Sequence, residues 1–124
     1  VRFVVEHIGK PDIRTAEMGR WAEGMEALAG FPNVYCKLSG MVTEADIDSW
    51  TVDDLRPYVS RVVEWFGDQR VMFGSDWPVC LVAGADYARV KGTLELLFEG
   101  VSNDGRDRVF GGNAMRLYRL DHLI

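Results

Sequence analysis

Three short apolar runs alternate with longer segments of helical periodicity along this chain. The runs VRFVVEH, NVYCKLSG and RVMFGSD are rich in valine and other residues that favour strands. The segments TAEMGRWAEGMEALAG, DDLRPYVSRVVEWFG and DYARVKGTLELLFEG carry apolar residues at helical spacing. Such alternation predicts an α/β fold, built from β-α units around a parallel sheet. Two architectures satisfy it, which are part of a (β/α)8 barrel and an open doubly wound sheet.

Capping residues predict where the helices begin. Asp54 is the expected N-cap of the second helix, which would place Pro57 in its first turn, where proline is tolerated. Asp86 is the expected N-cap of the third helix. Near the carboxyl end, RDRVFGGNAMRLYRL predicts a short helix, a break at Gly111–Gly112 and a last helix capped by Asn113.

Charge and composition argue against several classes of function. The net charge is −5 with acidic and basic residues interleaved, whereas nucleic-acid binders usually cluster their basic residues on one face. No apolar run approaches the roughly 20 residues of a membrane-spanning helix, and no signal peptide is recognisable. We therefore expect a cytoplasmic protein without nucleic-acid or membrane partners. Cys36 and Cys80 lack metal-site spacing and are expected to be buried, reduced thiols.

The chain starts at Val1, inside a strand-like run and without a methionine. A domain rarely begins inside a strand, so we expect residues 1–124 to form a single partial domain of a longer protein. A partial barrel would leave its first strand unpaired on one edge, which favours self-association. It would also expose an apolar inward face, with the residues Phe3, Val5, Tyr35 and Met72.

A polar residue closes each strand-like run. His7 ends the first, Ser39 the second and Asp76 the third. In parallel α/β folds the carboxyl ends of the strands form the ligand-binding rim, and strand alternation would place His7 on the same face as Phe3 and Val5. An imidazole and a carboxylate at one rim can position and deprotonate water, or can both bind a metal.

Each of these residues also has a structural explanation. His7 could be a core histidine bonded to backbone, and Asp76 could cap the turn before the next helix. Lys37 could extend its stem through the core to solvent at the rim, and Trp77 could be a packing residue. The residues alone therefore indicate a hydrolase-like site without deciding its chemistry.

The motifs EHIGKP, VYCKLSG, FGSDWPV and FGGNAMRLYRL occur in an order and spacing that resembles the amidohydrolase-related family. The resemblance covers essentially the whole chain and is closest to the sugar-lactone hydrolases, such as L-fuconolactonase and L-rhamnono-lactonase, with the related 2-pyrone-4,6-dicarboxylate lactonase. It implies a distorted (β/α)8 TIM barrel, of which residues 1–124 would be the carboxyl-terminal part, strands six to eight with their helices.

The resemblance also implies a function, the hydrolysis of a small-molecule lactone, expected to be a sugar-acid lactone. Asp76 matches the family's strand-eight aspartate, which activates water, and His7 matches the strand-six histidine, which contacts the reacting carbonyl or a metal. Lys37, Ser39 and Trp77 are expected to bind substrate. His7 and Asp76 are the candidate ligands of a zinc-like divalent ion, although the group is also compatible with metal-independent hydrolysis.

The family's His-x-His pair of strand one, and its strands two to five, have no counterpart in residues 1–124. Two alternatives to the lactonase therefore stay open at this point. One is a metal-dependent decarboxylase or an amidase-like amidohydrolase. The other is a non-catalytic fragment that acts only by pairing with another chain.

Overall fold

The structure, a computed structural model, describes residues 1–123. It contains one parallel sheet in which three strands lie side by side in chain order. The strands are β1 (Phe3–Val5), β2 (Val34–Leu38) and β3 (Val71–Phe73). Val5 pairs with Cys36, and Cys36 in turn pairs with Val71. The predicted parallel α/β arrangement is confirmed.

Within residues 1–123, five α-helices accompany the sheet. They are α1 (Gly19–Ala29), α2 (Val52–Phe66), α3 (Tyr87–Leu97), α4 (Asn103–Asp107) and α5 (Asn113–Tyr118). Short 3₁₀ turns lie at Glu6–Gly9, Val79–Ala83 and Asp121–Leu123, and a π-helical turn at Arg108–Gly112 joins α4 to α5. In residues 1–123, the structure has no helix that is both long enough and apolar enough to span a bilayer.

Side-chain alternation along β2 separates the core from the inner face of the sheet. Val34, Cys36 and Leu38 are buried, whereas Tyr35 and Lys37 are only half-buried. Burial, together with the charge of Glu6, raises the pKa of the Cys36 thiol to about 12, so it stays protonated at neutral pH. Cys80 is also buried and free, which confirms the prediction for both thiols.

Helix α2 begins three residues earlier than predicted. Thr51 is its N-cap, and the Asp54 carboxylate accepts a hydrogen bond from the Thr51 amide at 2.8 Å. The prediction of Asp54 as N-cap was therefore wrong, because the aspartate acts from the third helical position as the acidic half of a capping box. Pro57 consequently lies inside the helix. The prediction for Asp86 is confirmed, since its side chain accepts from the Arg89 amide at 2.8 Å.

The predicted break at Gly111–Gly112 is absent, because the π-helical turn runs directly into α5. Asn113 is not a cap either; it is 1 % exposed, and its amide donates to the carbonyls of Asp68 and Val71, both at 2.7 Å. Arg108 adds a two-pronged ion pair to the Asp68 carboxylate, at 3.1 and 3.0 Å. These bonds tie the last helices to the start of β3.

The inward face of the sheet is less exposed than predicted. Met72 is 1 % exposed, because α5 packs against β3, so the expectation was wrong for this residue. Tyr35 is half-buried on this face. Phe3 and Val5 do not lie on it, because they pair in register with the buried, core-facing residues of β2, so the prediction was wrong for them as well. Strand β1 has no second neighbour within residues 1–123.

Candidate active site

A cavity of about 390 Å³ brings together four of the five predicted site residues. His7, Lys37, Ser39 and Asp76 line it where the three strands end. Parallel strands deliver their carboxyl ends to one edge, which explains why residues so far apart in sequence meet here. Trp77 lies outside this lining and is 60 % exposed.

A tight turn, rather than the strand itself, orients His7. Strand β1 ends at Val5, and His7 and Ile8 both have a φ of 52° in the 3₁₀ turn that follows. This left-handed backbone is uncommon outside glycine and a clear outlier for a β-branched residue. The turn is anchored because Ile8 is fully buried and its carbonyl accepts a 2.8 Å hydrogen bond from Trp21 Nε1. The prediction that strand alternation aligns His7 with Val5 was therefore wrong.

Ser39 fixes the ring of His7. Nδ1 of His7 and Oγ of Ser39 are 2.9 Å apart and share a hydrogen bond whose direction follows the imidazole tautomer. Gly40, at φ +64°, makes this approach possible, because a Cβ there would lie 2.7 Å from His7 Nδ1. His7 is thus held by a side chain, and it is not a core histidine bonded to backbone, because its side chain is 45 % exposed.

Asp76 faces the other ring nitrogen of His7. Its Oδ1 lies 3.8 Å from His7 Nε2, beyond a direct hydrogen bond. Asp76 also has a left-handed backbone, with φ 57°. The 3₁₀ turn at Val79–Ala83 has Pro78 as its N-cap and no side-chain capping bond, so Asp76 does not cap it. The gap between Oδ1 and Nε2 can be bridged by one small group that interacts with both.

Lys37 stands beside this pair as a fixed cation. Its Nζ donates to Glu6 Oε1 at 2.8 Å and lies 5.8 Å from the ring centroid of Tyr118. Burial lowers the pKa of Lys37, but the hydrogen bond and charge of Glu6, with Tyr118, outweigh it and raise the pKa overall. The absence of a side chain at Gly74 leaves room for the lysine stem, because a Cβ there would lie 3.1 Å from Lys37 Cδ.

Tyr118 is a cavity residue that sequence reasoning missed, and Glu6 was likewise not predicted as a site residue. Tyr118 lies in the last turn of α5, and only the FGGNAMRLYRL motif could have drawn attention to it. Its position depends on the π-helical turn and on the Asn113 contacts that hold α5 against β3. Neither feature has a local sequence signature.

The donor set fits a divalent metal only in part. His7 and Asp76 offer a nitrogen and an oxygen, and Ser39 holds the opposite ring nitrogen, as the partners of metal-binding histidines commonly do. Catalytic zinc sites usually use three protein ligands. In the part of the chain that the structure describes, no three His, Cys, Asp or Glu side chains are placed so that together they could hold a metal ion.

Comparison with known proteins gives the family. The family model described as Amidohydrolase matches residues 1–120 of the chain. The chain belongs to the amidohydrolase family. This confirms the resemblance drawn from the EHIGKP, VYCKLSG, FGSDWPV and FGGNAMRLYRL motifs.

Lactonases stand among the relatives of this amidohydrolase chain. The L-fucono-1,5-lactonase of Burkholderia ambifaria is 44% identical over 126 residues, covering 98% of this chain and 42% of its own length. The L-fucono-1,5-lactonase of Burkholderia multivorans is 42% identical over 131 residues, covering 95% of this chain and 43% of its own. The chain thus spans about two fifths of the length of these relatives.

A solved amidohydrolase shares the fold. The crystal structure of an amidohydrolase from Burkholderia multivorans with bound HEPES superimposes with a TM-score of 0.90 at 38% identity. The match covers 95% of this chain and 44% of that one. A crystal structure of an amidohydrolase from the same organism contains bound zinc. Together with the parallel sheet, this confirms that the chain has the fold of part of an amidohydrolase TIM barrel.

Proposed function

We propose that the complete protein carrying this chain hydrolyses a small-molecule lactone, and specifically a sugar-acid lactone. The observation that carries the proposal is the 3.8 Å gap between Asp76 Oδ1 and His7 Nε2 at the strand ends. Its width and chemistry suit a water molecule next to a carboxylate base. The two L-fucono-1,5-lactonases among the relatives support this class of substrate.

In this mechanism Asp76 removes a proton from water as the water oxygen attacks the lactone carbonyl carbon. His7, its ring held by Ser39, orients the carbonyl. The carbon–oxygen bond of the lactone ring then breaks, the proton passes to the departing ring oxygen, and a hydroxy acid is released. Lys37, Ser39 and Trp77 contribute to substrate binding.

A divalent ion would bind through His7 and Asp76, completed by ligands from outside residues 1–123. When bound, it would supply polarisation of the lactone carbonyl. An amidohydrolase crystal structure from Burkholderia multivorans contains bound zinc, which supports a divalent ion in the complete protein. The steps assigned to Asp76, His7 and Ser39 are properties of this chain's own side chains.

A panel of sugar lactones, with hydrolysis followed by proton release at constant pH, tests the proposal. We expect the complete protein to open at least one aldonolactone at a rate well above the uncatalysed reaction. If no lactone in the panel is hydrolysed while the protein is folded and loaded with zinc, the proposed function is wrong.

The 124-residue chain alone is expected to hold zinc weakly, because His7 and Asp76 provide two of the three protein ligands that catalytic zinc usually requires. Elemental analysis after dialysis of the zinc-saturated chain measures this. A His7→Asn variant, in parallel, shows whether any residual metal depends on the site. Stoichiometric zinc that survives dialysis would contradict the two-ligand assignment.

We also infer that residues 1–124 are one partial domain, and that the isolated chain self-associates. Phe3, Leu28 and Phe31 line an apolar groove along the unpaired edge of β1 and are 56 %, 39 % and 58 % exposed. Open strand edges and apolar patches favour association. Light scattering is expected to give a mass above that of one chain, and a stable monomer at high concentration would contradict this inference.

A further inference from the structure

We propose that the Glu6–Lys37 pair, backed by Tyr118, makes this site select uncharged polyhydroxy lactones over lactones that carry a carboxylate. The inference rests on the proposed lactonase function and defines its substrate more narrowly. It concerns three side chains that line the cavity beside the His7–Asp76 pair.

The pair occupies a fixed position next to the reacting groups. Glu6 precedes His7 in the same 3₁₀ turn, and Lys37 lies on β2 two residues before Ser39. Their side chains meet at 2.8 Å, with Lys37 25 % and Glu6 53 % exposed. A substrate that reaches Asp76 therefore passes directly beside an ion pair that water still reaches.

The charges of the lining disfavour an anionic substrate. Glu6 and Asp76 are both carboxylates, and Lys37 and His7 are the cation-forming side chains among the described residues that line the cavity. Lys37 is already bonded to Glu6, and His7 faces Asp76. A substrate carboxylate would thus meet two like charges and find each basic group beside a carboxylate, whereas carboxylate-binding sites usually offer a free arginine or lysine.

The same pair suits neighbouring hydroxyl groups. The Lys37 ammonium has three N–H donors and uses one for Glu6, while the Glu6 carboxylate keeps further acceptor positions. A vicinal diol can accept from the ammonium with one oxygen and donate to the carboxylate with the other. Tyr118, whose ring lies 5.8 Å from Lys37 Nζ, helps to keep the ammonium in place through a cation–π contact.

The test compares D-glucono-1,4-lactone with D-glucaro-1,4-lactone, which differ at one end by a hydroxymethyl group against a carboxylate. In the complete protein, kcat/KM for the neutral lactone should exceed that for the anionic one by about tenfold or more, which corresponds to about 1.4 kcal/mol in transition-state binding. If the enzyme hydrolyses neither of these two lactones, each is tested as an inhibitor of the hydrolysis of the best panel substrate. The ratio of the two inhibition constants then measures the same preference.

Two variants should shift this ratio in opposite directions. Glu6→Gln releases Lys37, so the preference for the neutral lactone should fall by about tenfold, mainly through KM. Lys37→Met leaves Glu6 without its cation, so both lactones should bind more weakly and the anionic one most of all. Glu44→Gln is the matched control, because Glu44 pairs with Lys10 at 3.5 Å outside the cavity; its ratio should equal that of the wild type.

A wild-type ratio near one, or a ratio that Glu6→Gln leaves unchanged, would overturn the recognition proposal. If the Glu6 and Lys37 variants lose kcat/KM equally on both lactones, the ion pair only supports the fold, and the recognition proposal is overturned as well. Hydrolysis of no lactone at all would instead overturn the proposed function, so the two failures are distinguishable.

Discussion

Asp76→Asn should lower kcat for lactone hydrolysis in the complete protein by at least about 100-fold, because general-base catalysis typically contributes ~10²–10⁴-fold. Asparagine keeps the shape of aspartate and is among the residues that best tolerate the left-handed backbone found here, φ 57°. The fold should therefore be preserved while the group that accepts the proton of water is lost. Steady-state kinetics on the best panel substrate measures the effect, and circular dichroism verifies folding.

Asp86→Asn provides the matched control for this substitution. Asp86 caps α3 through the Arg89 amide, lies outside the cavity, and asparagine caps about as well as aspartate. Its kcat should remain close to that of the wild type. If the Asp76→Asn enzyme keeps more than about a tenth of the wild-type kcat, Asp76 is not the base.

Asn113→Asp should destabilise the protein by about 3 kcal/mol or more, because buried groups that lose their partners and gain a charge are among the most costly changes. The Asn113 amide donates two 2.7 Å hydrogen bonds to backbone carbonyls at the start of β3. A carboxylate there would place an oxygen against both carbonyls, and the exposed Arg116, whose guanidinium donates to Asn113 Oδ1 at 2.7 Å, would offset only part of this cost. Urea unfolding followed by circular dichroism measures the free energy of unfolding.

Asn33→Asp is the control for that effect. The Asn33 amide makes a single 2.8 Å bond to the Val1 carbonyl at the surface, so water can replace it and the cost should stay below about 1 kcal/mol. An Asn113→Asp protein whose unfolding free energy lies within about 1 kcal/mol of the wild type would contradict the anchoring role. The Asn113→Asp substitution should also disturb the lining of the cavity, because Tyr118 lies on the same helix as Asn113.

The sequence predicted well those features that depend on periodicity and parallel topology. Alternation along β2 was enough to separate Cys36 from Lys37, and the rule that strand ends share one rim was enough to bring His7 and Asp76 together. The first prediction needs only the local sequence of one strand, and the second needs only the order of strands and helices along the chain. The roles of the site residues are proposals that the kinetic experiments will decide.

Most of the wrong predictions have one physical origin, which is contact between distant parts of the chain. Asn113 looked like a local cap, but its partners lie at Asp68 and Val71, more than 40 positions earlier. The orientation of His7 depends on Trp21, which bonds to the Ile8 carbonyl, and on the space left by Gly40. The start of α2 was misplaced for another reason, because Asp54 supports the cap from inside the helix.

The left-handed backbone at His7 and Asp76 has a consequence for laboratory evolution of this protein. Such conformations cost of order 1–3 kcal/mol each for residues other than glycine, and glycine would remove most of that cost at both positions. A selection for thermal stability alone would therefore favour glycine at the two positions proposed for catalysis. Any library of variants of this protein would have to be screened for turnover from the first round. Its most heat-resistant members would carry glycine in place of His7 and Asp76 and would therefore have lost the proposed catalytic side chains.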